Sequence, residues 1–377
     1  MKTAEGYNAD PVHVELAEMF SSVKIMGPPM SEMLVALISH IFTPEEAGVC
    51  LNMSFVYPKT VEQIARRSGR RPGELEPVLE AMSRKQVIVA LAQRFMLYPL
   101  LPGLFEHIMR TGEKSAWHHT YAELINELFD TGYLREYFSR PVNAIRNIPV
   151  QQAVRNKSFI ADADLVSELI DSHHSFAVYH TCPCRQSMHL TGHECGRASP
   201  HDGCLAFGDF TRGVVADGNG RSVSKGEMYD IVAERWEKNL VFLTSNVTPS
   251  VQTAICTCCG CCCRALGIFN KFSKNLLAPS HFIAAVDESR CGNCGSCVPA
   301  CNTLAHHVVD KKHVYNPANC IGCGSCVAAC ANEAISMTEN RLYKPPRASY
   351  TSLILQMIPP VILMGTKIKL ARYFSKT

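Results

Sequence analysis

An α+β fold in three parts with a short tail is predicted by three observations. Residues 1–149 carry successive helix signals that close on a small hairpin pattern. Residues 150–281 alternate strand and helix patterns that run into cysteine-rich stretches, and residues 282–340 contain one cysteine-bearing unit written twice. A chain of 377 residues is long enough for two or three domains, each with its own core. Apolar residues make up 47% of it and the formal charge is +3, which is too small to imply a nucleic-acid or membrane partner.

In the first part, Ser31 caps a stretch with Leu34, Leu37, Ile38 and Ile41 at helical spacing. Thr43-Pro44-Glu45-Glu46 opens a second helix with a threonine cap, an early proline and a glutamate at the third position. Thr60 to Gln63 repeats the capping pattern. Val61, Ile64 and Ala65 give one apolar face, Ser68 to Gly73 turn the chain, and Leu75, Val78, Leu79 and Met82 give the next. Val87–Leu91 and Arg94–Tyr98 read as two short paired strands. Helix, turn, helix and hairpin make a winged-helix-like pattern over about 31–98. Arg66, Arg67, Arg70, Arg71, Arg84 and Lys85 would suit DNA, but Glu62, Glu74, Glu76 and Glu80 interrupt the positive surface, which favours a packing platform. Cys50 stands alone in an apolar setting and reads as core. Trp117–Leu128 and Leu134–Phe138 read as helices, the adjacent His118 and His119 are weak ligands, and the prolines from 141 to 149 mark a boundary.

The middle part reads as a helix over 162–172, a strand over 176–180, then Cys182-Pro-Cys184-Arg185, with Cys195 and Cys204 on polar, glycine-rich loops. Ser224 and Glu227 start another helix, and strands over 240–244 and 251–255 lead to Cys256, Cys258, Cys259, Cys261, Cys262 and Cys263. The strands before each cysteine group are expected to lie side by side and gather all ten thiols. Those thiols suffice for two four-ligand sites or one unusual site with thiols to spare, and adjacent cysteines do not all face one cube. Iron-sulfur content is favoured, with zinc as the alternative because His180, His189, His193 and His201 interleave with the first group. Arg185 is placed to offset the charge of a cluster.

The third part carries Cys291, Cys294, Cys297 and Cys301, repeated 29 residues later as Cys320, Cys323, Cys326 and Cys330. Gly295-Ser296 recurs as Gly324-Ser325, Val298 as Val327, and Ala300 as Ala329. Three thiolates two residues apart wrap one inorganic cube, while the fourth leaves along a short helix toward the other cube. One [4Fe-4S] cluster is therefore assigned to Cys291, Cys294, Cys297 and Cys330, and its partner to Cys320, Cys323, Cys326 and Cys301. These residues resemble bacterial-type two-cluster ferredoxins over 282–340. That family usually carries proline after each fourth cysteine, where Asn302 and Ala331 stand here. Taken with the winged-helix-like start and the middle cysteine groups, residues 60–340 resemble iron-sulfur proteins of anaerobic bacteria and archaea, and the resemblance implies electron transfer.

In the tail, 341–377, Ser352–Met364 is apolar and is followed by Lys367, Lys369, Arg372 and Lys376. It is too short to span a bilayer, so it is expected to dock on the protein or a partner subunit, or to lie at the inner face of a membrane. Eighteen of the nineteen cysteines fall between 182 and 330 in groupings that suit metal ligation, and Met1–Asp10 lacks the apolar core of a secretory signal. Both point to a reducing, cytoplasmic setting in an anaerobe or microaerophile.

The expected function is one-electron relay, alone or as the electron-transfer subunit of an oxidoreductase, with a redox partner protein. The alternatives are a redox-responsive DNA-binding regulator and a low-potential activator of a partner metalloenzyme. No nucleotide-binding glycine motif is present, and the sequence assigns no catalytic residue.

Overall fold

A computed structural model describes residues 10–138, 141–150, 165–272, 274–356 and 358, and shows mixed helix and strand. The described residues form two compact units, one taking 10–137 with Gln186–His193, the other running from Phe138 to Arg185 and onward from Glu194. The sequence divides the chain near 149 and 281. In the structure the first division falls twelve residues earlier, and the duplicated segment shares one unit with the middle one.

In the first unit, α1 (Pro11–Phe20), α2 (Glu32–Ile41) and α3 (Pro44–Cys50) pack together around Leu16, Phe20, Leu37, Ile38 and Phe42. The caps sit where the sequence places them. Ser31 Oγ accepts from the Leu34 amide at 3.2 Å, and Thr43 and Glu46 close a reciprocal capping box, each worth about 1 kcal/mol. Then β1 (Lys59–Thr60), α4 (Val61–Ser68), α5 (Pro72–Arg84), β2 (Ile88–Leu91) and β3 (Arg94–Leu97) follow, with strand order β1-β3-β2. Gly69, at φ 69°, ends α4 in the left-handed conformation that a residue without a Cβ adopts freely. Cys50 is fully buried, its thiol 3.8 Å from Met82 Sδ, and burial pushes that thiol well above its ordinary range. It is a core residue. The unit is completed by α6 (Phe105–Arg110), α7 (Ala116–Asp130) and α8 (Leu134–Tyr137). His118 is spent on the cap residue Ser115, and His119 on the carbonyl of Leu190.

The second unit is built on β4 (Ile145–Asn147), β5 (Phe176–Tyr179), β6 (Leu205–Phe207), β7 (Gly220–Val223), β8 (Val241–Ser245) and β9 (Ala254–Cys258). They form one antiparallel sheet in the order β4-β8-β9-β6-β5-β7. Side chains alternate between the faces of a strand. Phe176, Val178, Leu205, Phe207, Phe242 and Ile255 join Val166, Leu169 and Ile170 of α9 (Val166–Asp171) and Met228, Ile231 and Val232 of α12 (Lys225–Glu237) in one core. Burying each such side chain contributes about 1.5–3 kcal/mol. The alternate residues, among them Cys204 and Ala206, face the other way with Ala177 and Tyr179, against Val214 of α11 (Phe210–Ala216). After β5 the chain enters α10 (Pro183–Leu190), and after β9 it makes a turn into α13 (Arg264–Lys271).

This sheet corrects one expectation. The strands that precede the two cysteine groups, β5 and β9, are not neighbours, because β6 lies between them and pairs with both. The stretch ending at Cys204 reads as a polar loop, yet its continuation Leu205-Ala206-Phe207 is a buried central strand too short for periodicity to reveal. Strand β9 also starts later than expected and carries Cys256 and Cys258 within itself.

The duplicated segment folds as two like halves. They are β10 (Phe282–Val286), α14 (Cys297–Ala300) and β11 (His306–Val309), then β12 (Lys312–Tyr315), α15 (Ser325–Ala328) and β13 (Ile335–Glu339). The halves exchange ends, since β10 pairs with β13 and β11 with β12. Ala284, Cys297, Cys326 and Ile335 are the centre of a small core between them. In the tail, residues 350–356 are helical, and most of the predicted apolar and basic stretch lies outside the described residues. Among the described residues no single helix is long and apolar enough to cross a membrane.

Candidate metal centres

The eight cysteines of the duplicated segment gather in two crossed quartets. One cavity is lined by Cys291, Cys294, Cys297 and, from the second motif, Cys330. Cys320, Cys323 and Cys326 are joined by Cys301 of the first motif, whose charge acts on both Cys323 and Cys326. The duplication reaches the groups that touch the sulfurs. Ala305 N–H donates to Cys301 Sγ at 3.2 Å, as Ala334 N–H does to Cys330 Sγ at 3.3 Å. Ser296 lies 3.4 Å from Cys294 Sγ, and Ser325 lies 3.6 Å from Cys323 Sγ. Donors aimed at thiolate sulfur stabilise the added negative charge of a reduced cluster.

The quartets differ in exposure. Cys294 is exposed, and the Ser296 hydroxyl holds its thiol below the ordinary range, whereas burial pushes the Cys323 thiol up to about 11. Two histidines that the sequence did not single out stand beside the first quartet. His313 Nδ1 is 3.8 Å from Cys291 Sγ, and its Nε2 is 2.9 Å from His306 Nδ1. His306 is stacked on Tyr315, and burial lowers its pKa to about 4, so it is neutral at pH 7. With Cys297 they form a close trio, in which the two rings meet each other and His313 also reaches Cys291. Nothing in the sequence pairs His306 with His313, which meet only because β11 and β12 form a hairpin.

The ten cysteines of the middle segment divide into a set of four and a set of six. In the first, Cys195 Sγ is 3.6 Å from both Cys259 and Cys261, Cys261 is 3.6 Å from Cys262, and all four sulfurs lie within 4.8 Å of one another. The thiols of Cys261 and Cys262 donate to Cys259 and, helped by Arg185, hold it far below the usual thiol range, while Cys261 is pushed up to about 12. None of His180, His189, His193 and His201 joins this set.

The set of six follows from strand register. The pairing of Leu205 with Ile255 brings Cys204, one residue earlier, opposite Cys256, and Cys258 lies on the same face two residues on. Cys263, just before α13, turns back to within 3.3 Å of Cys258, and Cys182 and Cys184 come from the entry to α10. Thiol contacts run from Cys182 to Cys204, Cys256, Cys258, Cys263 and Cys184, and the charge of Cys182 acts on Cys184, so the two ends of this series come near one another and the six thiols are termed a ring. The amides of Arg185, Arg264 and Leu266, at the starts of two helices, are directed at the sulfurs of Cys182, Cys184 and Cys263, where helix dipoles favour negative charge. Cys256 is the open corner of the ring.

Arg185 joins the two sets. It is 1% exposed, and its guanidinium donates to the carbonyls of Ser199 at 3.0 Å, Thr257 at 2.9 Å and Asp202. Burial works against its charge, but the sulfurs of Cys182, Cys259, Cys258 and Cys204 more than compensate. Those carbonyls are neutral, so the anions facing this buried cation are sulfur. A thiolate-held metal centre supplies that negative charge, and the residues present therefore fit one.

The loop between Cys195 and Cys204 is held by Asp202, whose carboxylate pairs with Arg235 and, at 3.1 Å, with Lys238. Gly203 passes so close to the Tyr179 carbonyl that a Cβ would lie 2.0 Å from its oxygen. Burial alone would raise the Asp202 carboxyl, but the two cations outweigh it and hold it below its ordinary range. The ion pairs then contribute fully above the unfolded value of about 3.9 and are lost as pH falls through the lower folded value. Thermal unfolding measured against pH should show this acid limb in the native protein and a flatter one in Asp202→Asn.

The turn through the set of four is tied to the duplicated segment by Asn302, the residue after Cys301. Its Oδ1 accepts from Gly260 N–H at 2.8 Å and its Nδ2 donates to the Asn239 carbonyl at 2.9 Å. A Cβ on Gly260 would come within 2.4 Å of the Asn302 carbonyl oxygen, so only glycine fits this approach.

No curated protein and no solved structure matches the chain. Residues 283–331, which hold all eight cysteines of the two crossed quartets, match the family model described as a 4Fe-4S dicluster domain, and this segment is a ferredoxin-like iron-sulfur domain.

Proposed function

We propose that this protein is an iron-sulfur electron-transfer protein whose ferredoxin-like domain relays single electrons between a redox partner and the thiol ring of the middle segment. The observation that carries this reading is the Asn302 bridge. In the residue position where two-cluster ferredoxins usually have proline, this chain has an amide that connects Cys301 of one quartet, by one residue and one hydrogen bond, to Gly260, in the turn between Cys258 and Cys263 of the ring. Bound at the quartets, [4Fe-4S] clusters supply one-electron storage at low potential.

The chain's own residues give the relay a direction. Exposed Cys294 and the exposed apolar side chains of Val308, which lies against Gly295, and Val309 favour the first quartet as the face for a redox partner. The second quartet is more enclosed and lies on the Asn302 side. The six-thiol ring, with its facing cation Arg185 and its open corner at Cys256, is read as a further iron-sulfur centre and as the place where electrons leave the chain, as an oxidoreductase subunit would require.

In the first unit the order of α3 to β3 supports the winged-helix reading, but as a platform rather than a DNA reader. Arg70 pairs with Glu45, Arg71 with Glu74, Arg84 with Glu80 and Lys85 with Glu46. Four of the six basic residues that would have to meet phosphate are thus already matched by carboxylates, as the salt-dependent phosphate contacts of a DNA reader would not be.

Asn302→Ala tests the bridge. It leaves Gly260 N–H without its partner, at about 1–3 kcal/mol, and takes one of two donors from the Asn239 carbonyl, which Arg197 also reaches at 2.9 Å, while all eight quartet cysteines remain. The expected outcome is an unchanged ferredoxin-domain spectrum with several-fold slower reduction of the middle centre after flash reduction of the clusters. Unchanged kinetics would sink the proposed route.

A further inference from the structure

The ten middle cysteines are unlike in geometry, and the compact set of four has a use of its own. In a tetrahedral tetrathiolate site with metal–sulfur bonds of about 2.3 Å, the sulfurs lie about 3.8 Å apart. Three of the separations among the sulfurs of Cys195, Cys259, Cys261 and Cys262 are 3.6 Å, and none exceeds 4.8 Å. A cube has one metal at each of four corners and holds its thiolates much farther apart. The same molecule provides the comparison, because among the described residues no three thiols of either ferredoxin quartet come within 4.8 Å of one another. Cys261 and Cys262 are also adjacent in the chain, and their sulfurs, 3.6 Å apart, are at the spacing of two ligands on one ion rather than of two corners of a cube.

We propose that Cys195, Cys259, Cys261 and Cys262 bind one tetrahedral metal ion, zinc or a lone iron, and not an iron-sulfur cube. All four positions are filled by protein sulfur, so the site is closed and structural. Its work is to fasten the loop carrying Cys195, which also brings Asp202 and Cys204, to the turn 259–263. That turn places Cys258 and Cys263, on either side of the set, in the six-thiol ring. Cys259 and Cys262 are 1% and 3% exposed, while Cys261 is exposed, which gives an ion a way in. The inference does not depend on the direction of electron flow.

The test uses the full-length protein purified without oxygen. Native mass spectrometry and elemental analysis of the intact chain are compared with those of Cys261→Ser. The expected result is the loss of a single zinc or a single iron with no loss of sulfide, zinc and iron being told apart by element. Loss of about four irons with sulfide would show a cube and overturn the proposal, as would loss of no metal at all. Because the variant can fail to fold, X-ray absorption of the native protein gives a second reading. An all-sulfur shell of four at about 2.3 Å around zinc, or the high-spin spectrum of one ferric iron in four thiolates, supports the single-ion site. If neither signal is present, the proposal fails whatever the variant does. Absence of all iron from the chain would instead overturn the electron-transfer reading and leave a zinc tetrathiolate standing.

Discussion

Cys330→Ser is expected to remove the cluster of the first motif, not that of the second. In the structure Cys330 lines the cavity of Cys291, Cys294 and Cys297, and the Ala334 amide that donates to it at 3.3 Å holds it there. The variant should lose or degrade one of two clusters, about half of the iron of this domain, and the magnetic coupling between the two reduced clusters should vanish with it. Cys301→Ser should do the same to the other. The two are told apart by pairing each with Cys294→Ser. Cys330→Ser/Cys294→Ser should lose no more iron than Cys330→Ser alone, whereas Cys301→Ser/Cys294→Ser should lose both clusters. If the first double variant loses both, ligation is not crossed. Serine is nearly the size of cysteine and α14 and α15 are short, so global unfolding is not the expected result.

Much of this site was legible because repetition in sequence is repetition in space. An offset of 29 residues carries Cys294-x-Ser296 onto Cys323-x-Ser325, and the hydrogen bonds repeat with it. Helix caps at Ser31, Thr43 and Thr60 were equally readable, since each is a local bond decided within four residues. The division of the middle cysteines was not. It depends on β6, whose three residues carry no period, and on a register that sets Cys204 against Cys256 across some 50 residues. The same holds for Asn302, where the sequence showed a departure from proline but not the partner 42 residues away that gives the departure a use. The contact between His306 and His313 closes through a hairpin and likewise leaves no local trace.

The largest effect outside the ferredoxin domain is expected at Arg185. Removing it with Arg185→Met takes away the cation that faces Cys182, Cys204, Cys258 and Cys259 and the guanidinium donors to the carbonyls of Ser199, Thr257 and Asp202. Losing one partner of a buried charged arrangement costs on the order of 3–5 kcal/mol, and that cost falls on the loop and turn that carry the ring. Arg185→Met should therefore keep the irons of the two quartets and lose the metal of the ring, read as iron per chain and as disappearance of the middle-centre signal. Arg185→Lys separates the two roles of the side chain. A lysine keeps the positive charge but cannot fork to three carbonyls, so the ring metal should be retained in a less stable protein. A third variant, Arg185→Gln, keeps part of the hydrogen bonding without the charge. Where it retains the metal, reduction should be harder, because an added electron no longer meets a facing cation. Ring metal held by Arg185→Met at an unchanged potential would mean that the guanidinium answers only to its three carbonyls and that the thiols around it carry no charged centre.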